Sequence, residues 1–144
     1  YRTTANFVLP PEYELPAIKI LSEHPLVEIG HHSYNFHSLG LRRGMGKIYG
    51  EGNSAYTEII KTDIEMLNNK LLSNIGFVPF IMAYPYGIKN KTLEEIVKSE
   101  GFSVTLSCRE CINKISVGDE LFDLGRFNRP FKYNTNTFFT EIVI

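Results

Sequence analysis

Three of the four histidines in this 144-residue chain, His31, His32 and His37, crowd into seven consecutive positions. Neutral imidazole is the commonest ligand for zinc and related cations, and two such rings on a short loop can converge on one ion. The His-x4-His spacing of His32 and His37 is not that of a helix-face pair and has no unique geometry. Spacing alone therefore leaves surface histidines in a polar loop as the plainer reading. A second stretch able to do chemistry is Tyr84-Pro85-Tyr86-Gly87. A rigid Pro-aromatic-Gly turn can aim a backbone N–H at developing negative charge while its ring offers a flat contact face, although taken alone it is more often just a turn. Cys108 and Cys111, the only cysteines, form a lone CxxC that could be a redox pair or half a zinc site. A zinc ribbon needs a second pair and a thioredoxin-like site needs a helix start near an early strand, so two ordinary thiols fit better.

The elements that must position these residues alternate. Residues 4–9 are a short β-branched and aromatic run stopped by Pro10 and Pro11, as expected of a buried strand running into a loop. Residues 14–22 carry Leu15, Ile18 and Leu21 on one helical face, ahead of a second apolar run at 26–29 that reads as a strand. Residues 30–52 have no sustained periodicity and read as a long irregular connection, a kind of segment that often carries function. Ile60, Ile64, Leu67 and Leu71 follow helical spacing within 54–73, and 79–83 form the next apolar run. Asn90 is placed to cap a helix over 90–100 that Gly101 stops, and 102–107 read as a strand. Residues 121–127 could be another strand, and 137–144 either the start of an amphipathic helix or a final strand. At least three β-then-α units predict parallel strands with crossover helices, in an open sheet or a β/α barrel. Such folds carry their chemistry at the carboxyl ends of the strands, where both stretches above would fall.

The bulk properties exclude several classes. Hydrophobic residues make up 43% and charged residues 22%, with no low-complexity tract or repeat, which argues against disordered and fibrous classes. A formal charge of −1 gives no overall pull toward nucleic acid or anionic membrane. No apolar run reaches the roughly 18 to 20 residues that span a bilayer, and Tyr1 to Asn6 lack a signal-peptide layout, so any targeting segment would lie upstream.

The run Glu28-Ile29-Gly30-His31-His32-Ser33-Tyr34-Asn35-Phe36-His37-Ser38-Leu39 resembles the second motif of the polysaccharide deacetylases, the family 4 carbohydrate esterases with the NodB homology domain. Phe80-Ile81-Met82-Ala83-Tyr84-Pro85-Tyr86-Gly87 is similar to the family's third motif, and the two stand in the family's order, each after an expected strand. The opening residues resemble the family's second strand, and 121–129 occupy the place of its last motifs, so the likeness spans nearly the whole chain. The resemblance implies a distorted (β/α) barrel, of which residues 1–144 would be a partial catalytic domain lacking the first strand. It implies that His32 and His37 bind one divalent metal ion, zinc first, with cobalt or nickel as alternatives, and that His31 is a neighbour. Ser33 would brace the loop through backbone hydrogen bonds. Tyr86 would supply a backbone oxyanion donor, with Tyr84, Tyr86 and Arg126 lining a sugar groove.

The sequence departs from the family pattern in three places. The Thr-Phe-Asp-Asp-Gly motif, which supplies a base and a metal-binding Asp, is absent and is expected upstream. Ala83 stands where many members carry Arg, and Leu124-Gly125-Arg126 stands where a Leu-x-His with a general-acid histidine is usual. Arg126 can stabilise negative charge but does not readily give up a proton at neutral pH. The resemblance implies hydrolysis of N-acetyl groups on an N-acetylglucosamine-containing polymer of the cell wall or surface, at an extracellular or cell-surface location. The alternatives are a catalytically silent carbohydrate-binding relative and, from a different class, a structural or redox β/α domain using Cys108 and Cys111.

Overall fold

The structure is a computed structural model, and it describes residues 11–128 and 132–141. The run at 4–9 lies outside the described residues. Helix α1 spans Pro11–Ser22 and helix α2 Asn53–Ile75; strand β1, Ile81–Ala83, then leads into a single 3-10 turn at Pro85–Gly87. Helix α3 is Lys91–Ser99, strands β2 and β3 are Val104–Leu106 and Leu121–Leu124, and α4 is Thr135–Glu141.

The helices start and stop where side-chain chemistry dictates. On α2, Tyr56, Ile60, Ile64 and Leu71 are buried along one stripe and Leu67 is half-buried, as the helical period requires. The helix ends at Gly76, whose φ of 80° suits glycine and whose N–H returns to the Leu72 carbonyl at 3.0 Å. At the start of α3 the Asn90 Oδ1 accepts the Leu93 N–H at 2.9 Å, and Asn90 Nδ2 donates to the Tyr56 hydroxyl at 3.0 Å. Tyr56 in turn donates to the Met45 carbonyl at 2.7 Å, so one chain of bonds ties α3, α2 and the long irregular segment together.

The strands are parallel in the order β1-β2-β3, with Ile81 opposite Val104, Met82 opposite Thr105 and Ala83 opposite Leu106. His31 pairs with the free side of β1 as an isolated parallel bridge: its N–H donates to the Ile81 carbonyl at 2.8 Å, and its carbonyl accepts the Ala83 N–H at 2.9 Å. The expected strand at 26–29 is therefore displaced. Those residues are irregular and Leu26 is 80% exposed, and the pairing beside β1 on this side is the single bridge at His31 among the described residues. The connection between β2 and β3 contains no helix. The described residues thus form a mixed α/β fold with an open parallel sheet. Its core is Met45, Tyr56, Ile60, Ile64, Met82, Tyr84, Leu93, Ile96, Val97 and Phe102, with Phe36 and Phe122 packed against it. The tail, left between helix and strand by the sequence, is helical over α4.

Candidate active site

The carboxyl ends of the four parallel segments converge. His32 follows the His31 bridge, Pro85 and Tyr86 follow β1, Cys108 follows β2, and Arg126 follows β3. This arrangement places the two sequence stretches side by side despite some fifty residues of chain between them. The His32 and His37 rings lie with centroids 5.0 Å apart, and His37 stacks on Tyr86 at 4.6 Å with the planes 25° apart.

His32 Nδ1 lies 2.7 Å from the Ala83 carbonyl oxygen, an acceptor only, so Nδ1 carries the proton and Nε2 keeps its lone pair. Burial lowers the His32 pKa, the Ala83 carbonyl opposes that shift, and the positive influence of His37 and Arg126 lowers it further. The ring is thus held neutral, the form a metal ligand needs. His37 makes no hydrogen bond among the described residues. Its place is set by the loop that carries it and by the Tyr86 ring.

His31 points the other way. It is fully buried, edge-on to Phe102 at 5.3 Å between centroids, and its Nδ1 accepts the Ser33 N–H at 3.1 Å. Desolvation pushes its pKa down to about 4, offset in part by the Ile64 backbone. Ser33 has a positive φ of 64°, and its Oγ accepts the Phe36 N–H at 3.1 Å, the bracing expected of it. Sequence reasoning passed over Asp63 of α2, which is 4% exposed and accepts the Tyr34 N–H at 2.8 Å and the Asn35 N–H at 2.7 Å. Its signal was present: an acid on the buried stripe of an amphipathic helix, three residues after Ile60, must find donors.

Tyr86 itself has φ 56° and ψ 13°, a left-handed conformation that is uncommon for a side-chain-bearing residue. The turn is closed by the Gly87 and Ile88 N–H groups, which donate to the Tyr84 and Pro85 carbonyls at 2.9 and 3.2 Å. The Tyr86 N–H has no hydrogen-bond partner among the described residues. Gly87, at φ 65°, is required by contact as well as conformation, since a Cβ there would lie 2.9 Å from Cys108 Cβ. Tyr84, expected to line a groove, is instead fully buried in the core. Its side chain shares the inward face with Met82, two residues earlier, so it anchors the turn rather than touching anything outside.

Arg126 is half-buried, and its Nε donates to the Ser107 carbonyl at 3.0 Å. The preceding Gly125 is held by both ends of the Asn113 amide, each at 2.8 Å, which fixes the backbone from which Arg126 projects. Cys108 and Cys111 are free thiols, with Cys108 3.7 Å from an Arg126 nitrogen. Among the described residues no cluster of three His, Cys, Asp or Glu side chains gathers. Two neighbouring imidazoles, one of them with a free Nε2 lone pair, are a donor set whose chemistry suits a divalent cation. No helix of the described residues is long and apolar enough to cross a membrane.

The fold and motifs have counterparts among known proteins. No curated protein sequence matches the chain. Among solved structures, it is similar to a de-N-acetylase from Aggregatibacter actinomycetemcomitans, at 21% identity and a TM-score of 0.68 over 85% of this chain and 50% of that one. It is similar to IcaB from Ammonifex degensii, at 23% identity and 0.65 over 85% and 48%, and to the BpsB deacetylase domain from Bordetella bronchiseptica, at 17% and 0.67 over 78% and 47%. At these identities the likeness is one of fold, and the chain spans about half the length of those structures. The sequence model of the family described as polysaccharide deacetylase matches residues 10–105. That match covers well over half of the sequence and contains both histidines and the Tyr-Pro-Tyr-Gly turn: the chain belongs to the polysaccharide deacetylase family.

Proposed function

We propose that this chain is part of the catalytic domain of a metal-dependent hydrolase that removes N-acetyl groups from an N-acetylglucosamine-containing polysaccharide. In this reading the sheet closes with further chain into the distorted β/α barrel of the family, and the enzyme works on a cell-wall or surface polymer outside the cytoplasm. The observation that carries the reading is the His32–His37 pair, two rings 5.0 Å apart with one nitrogen of His32 engaged by Ala83. These two imidazoles would hold the ion, and such ligands suit zinc first, with cobalt or nickel as alternatives. When bound, the ion would supply Lewis acidity and lower the pKa of a water.

The chain's own residues would do the rest. The Ala83 carbonyl fixes the His32 tautomer, so the ring need not reorganise to bind. The Tyr86 N–H would donate to the oxyanion of the tetrahedral state, because a donor free of the sheet ladder is available when charge develops. The exposed part of the Tyr86 ring would meet a sugar face, and Arg126 would stabilise negative charge without serving as an acid. Acetate release from N-acetylglucosamine oligomers by the full-length protein, with added zinc or cobalt, tests the reading. His32→Ala should reduce turnover by at least about 10²-fold, and undiminished turnover would show that the catalytic centre lies elsewhere. Oligomer binding without acetate release would identify a catalytically silent carbohydrate-binding relative instead.

A further inference from the structure

The loop between the two histidines has an unusual backbone. Four successive N–H groups, those of Ser33, Tyr34, Asn35 and Phe36, are each taken by a side chain: His31 Nδ1, Asp63 Oδ2, Asp63 Oδ1 and Ser33 Oγ. Two of these acceptors belong to the loop or its first residue. Asp63 is the exception, reaching in from α2, 28 and 29 residues further along the chain.

Both of its oxygens are used, one for each of two adjacent N–H groups. A carboxylate that receives two adjacent donors fixes the orientation of that peptide as well as its position. The loop also holds Ser33 at φ 64°, a conformation that a side-chain-bearing residue keeps only when its surroundings over-determine it. His32 has its own anchor in the Ala83 carbonyl, but His37 has no hydrogen bond among the described residues. It sits immediately after the clamped segment, stacked on Tyr86.

We infer that Asp63 is a positioning residue for His37: by clamping the Tyr34 and Asn35 N–H groups to α2 it fixes the distance and orientation of His37 relative to His32. This rests on the reading of the two histidines as ligands of one ion, and it deepens that reading by naming what pre-organises the pair. Residues that orient metal ligands typically affect metal affinity by about 10- to 100-fold when removed.

The test uses the full-length protein and two readouts. In the metal-free protein, the His37 ring protons should be shifted upfield by the Tyr86 ring in the NMR spectrum. With zinc added, affinity is measured by calorimetry. Asp63→Asn, which puts an NH2 against one of the two backbone donors, should collapse the His37 shift towards its free value and weaken zinc binding about 10- to 100-fold. Val97→Ala, a core truncation on α3, should lower the melting temperature while leaving both readouts in place. If Asp63→Asn does not fold, Asp63→Glu serves, because its longer arm cannot keep both oxygens in register with both N–H groups and should give an intermediate loss. Wild-type shifts and wild-type affinity in a folded Asp63 variant would overturn the inference. A wild-type protein that binds no zinc, with the His37 shift still lost in Asp63→Asn, would sink the metal reading and leave the positioning intact.

Discussion

Tyr84 separates a core residue from a groove residue, and its hydroxyl makes the distinction measurable. The side chain is fully buried, and its hydroxyl has no hydrogen-bond partner among the described residues. Burial pushes its pKa from 10 up to about 12, with the Thr105 side chain pulling the other way by a smaller amount. Between pH 10 and about 12 the unfolded chain loses this proton while the folded chain keeps it, so the unfolded state gains stability over that window. Each pH unit of separation is worth about 1.4 kcal/mol, and two make roughly 3 kcal/mol of stability that is present below pH 10 and gone by about pH 12. Tyr84→Phe removes the titrating group and an unpaired hydroxyl together. Leaving a buried polar group unsatisfied costs about 1 to 3 kcal/mol, so the variant should be at least as stable as wild type at pH 7. It should also lose less stability above pH 10. The assay is urea unfolding of both proteins from pH 7 to pH 11.5, read as the difference between them so that the other tyrosines cancel. Parallel curves across the alkaline range would refute the burial argument. A raised KM for oligosaccharide with unchanged stability would return Tyr84 to the groove.

Two further perturbations probe the scaffold. Gly87→Ala combines a left-handed backbone, costing an L residue about 1 to 2 kcal/mol, with a Cβ 2.9 Å from Cys108 Cβ, where overpacking costs about 1 to 3 kcal/mol. The melting temperature should fall and acetate release should fall with it as Tyr86 is displaced, whereas a fully active, fully stable variant would show that the turn tolerates a side chain. Asn90→Ala should cost about 1 kcal/mol through the lost cap of α3 and something more through the lost Asn90–Tyr56 hydrogen bond, although the Tyr56 hydroxyl keeps the Met45 carbonyl. Asn90→Asp, which keeps the cap acceptor, should recover part of the urea midpoint, and equal losses would mean that the cap contributes nothing.

What could be read in the sequence was what local chemistry decides. The apolar stripe of α2, the Asn90 cap and the glycine stop after α3 depend on neighbours a few residues away, and they stand where the pattern put them. The pairing of His32 with His37 came from the family resemblance of their motif and not from their spacing, and the two rings do lie 5.0 Å apart. Contacts made across the fold were not legible in the same way. Asp63 reaches back 28 and 29 residues to its donors, and His32 reaches forward 51 residues to Ala83. The strand misplaced at 26–29 shows the same limit, because apolar content says that a segment can pair and only a partner edge says where. β1 is three residues long, so it selects His31 and leaves the preceding residues unpaired.

The adjacent histidines show how that one bridge decides the chemistry. In a paired segment successive side chains point to opposite faces, so if His31 is inward then His32 must be outward. The pairing of His31 with Met82 fixes the first direction: its ring goes into the core against Phe102 and is kept neutral by burial. His32, one residue on, is at the end of the pairing and turns to the surface where His37 and the Tyr86 turn meet it. A register slip of one residue would exchange them, placing His31 beside His37 and burying His32. The bonds of His31 to Ile81 and Ala83 forbid that slip, and Ala83 then offers His32 its carbonyl as well. The same residue that locks the sheet register therefore also sets the tautomer of the proposed ligand. This needs only the backbone of residue 83, which is consistent with an alanine standing where other members of the family carry an arginine.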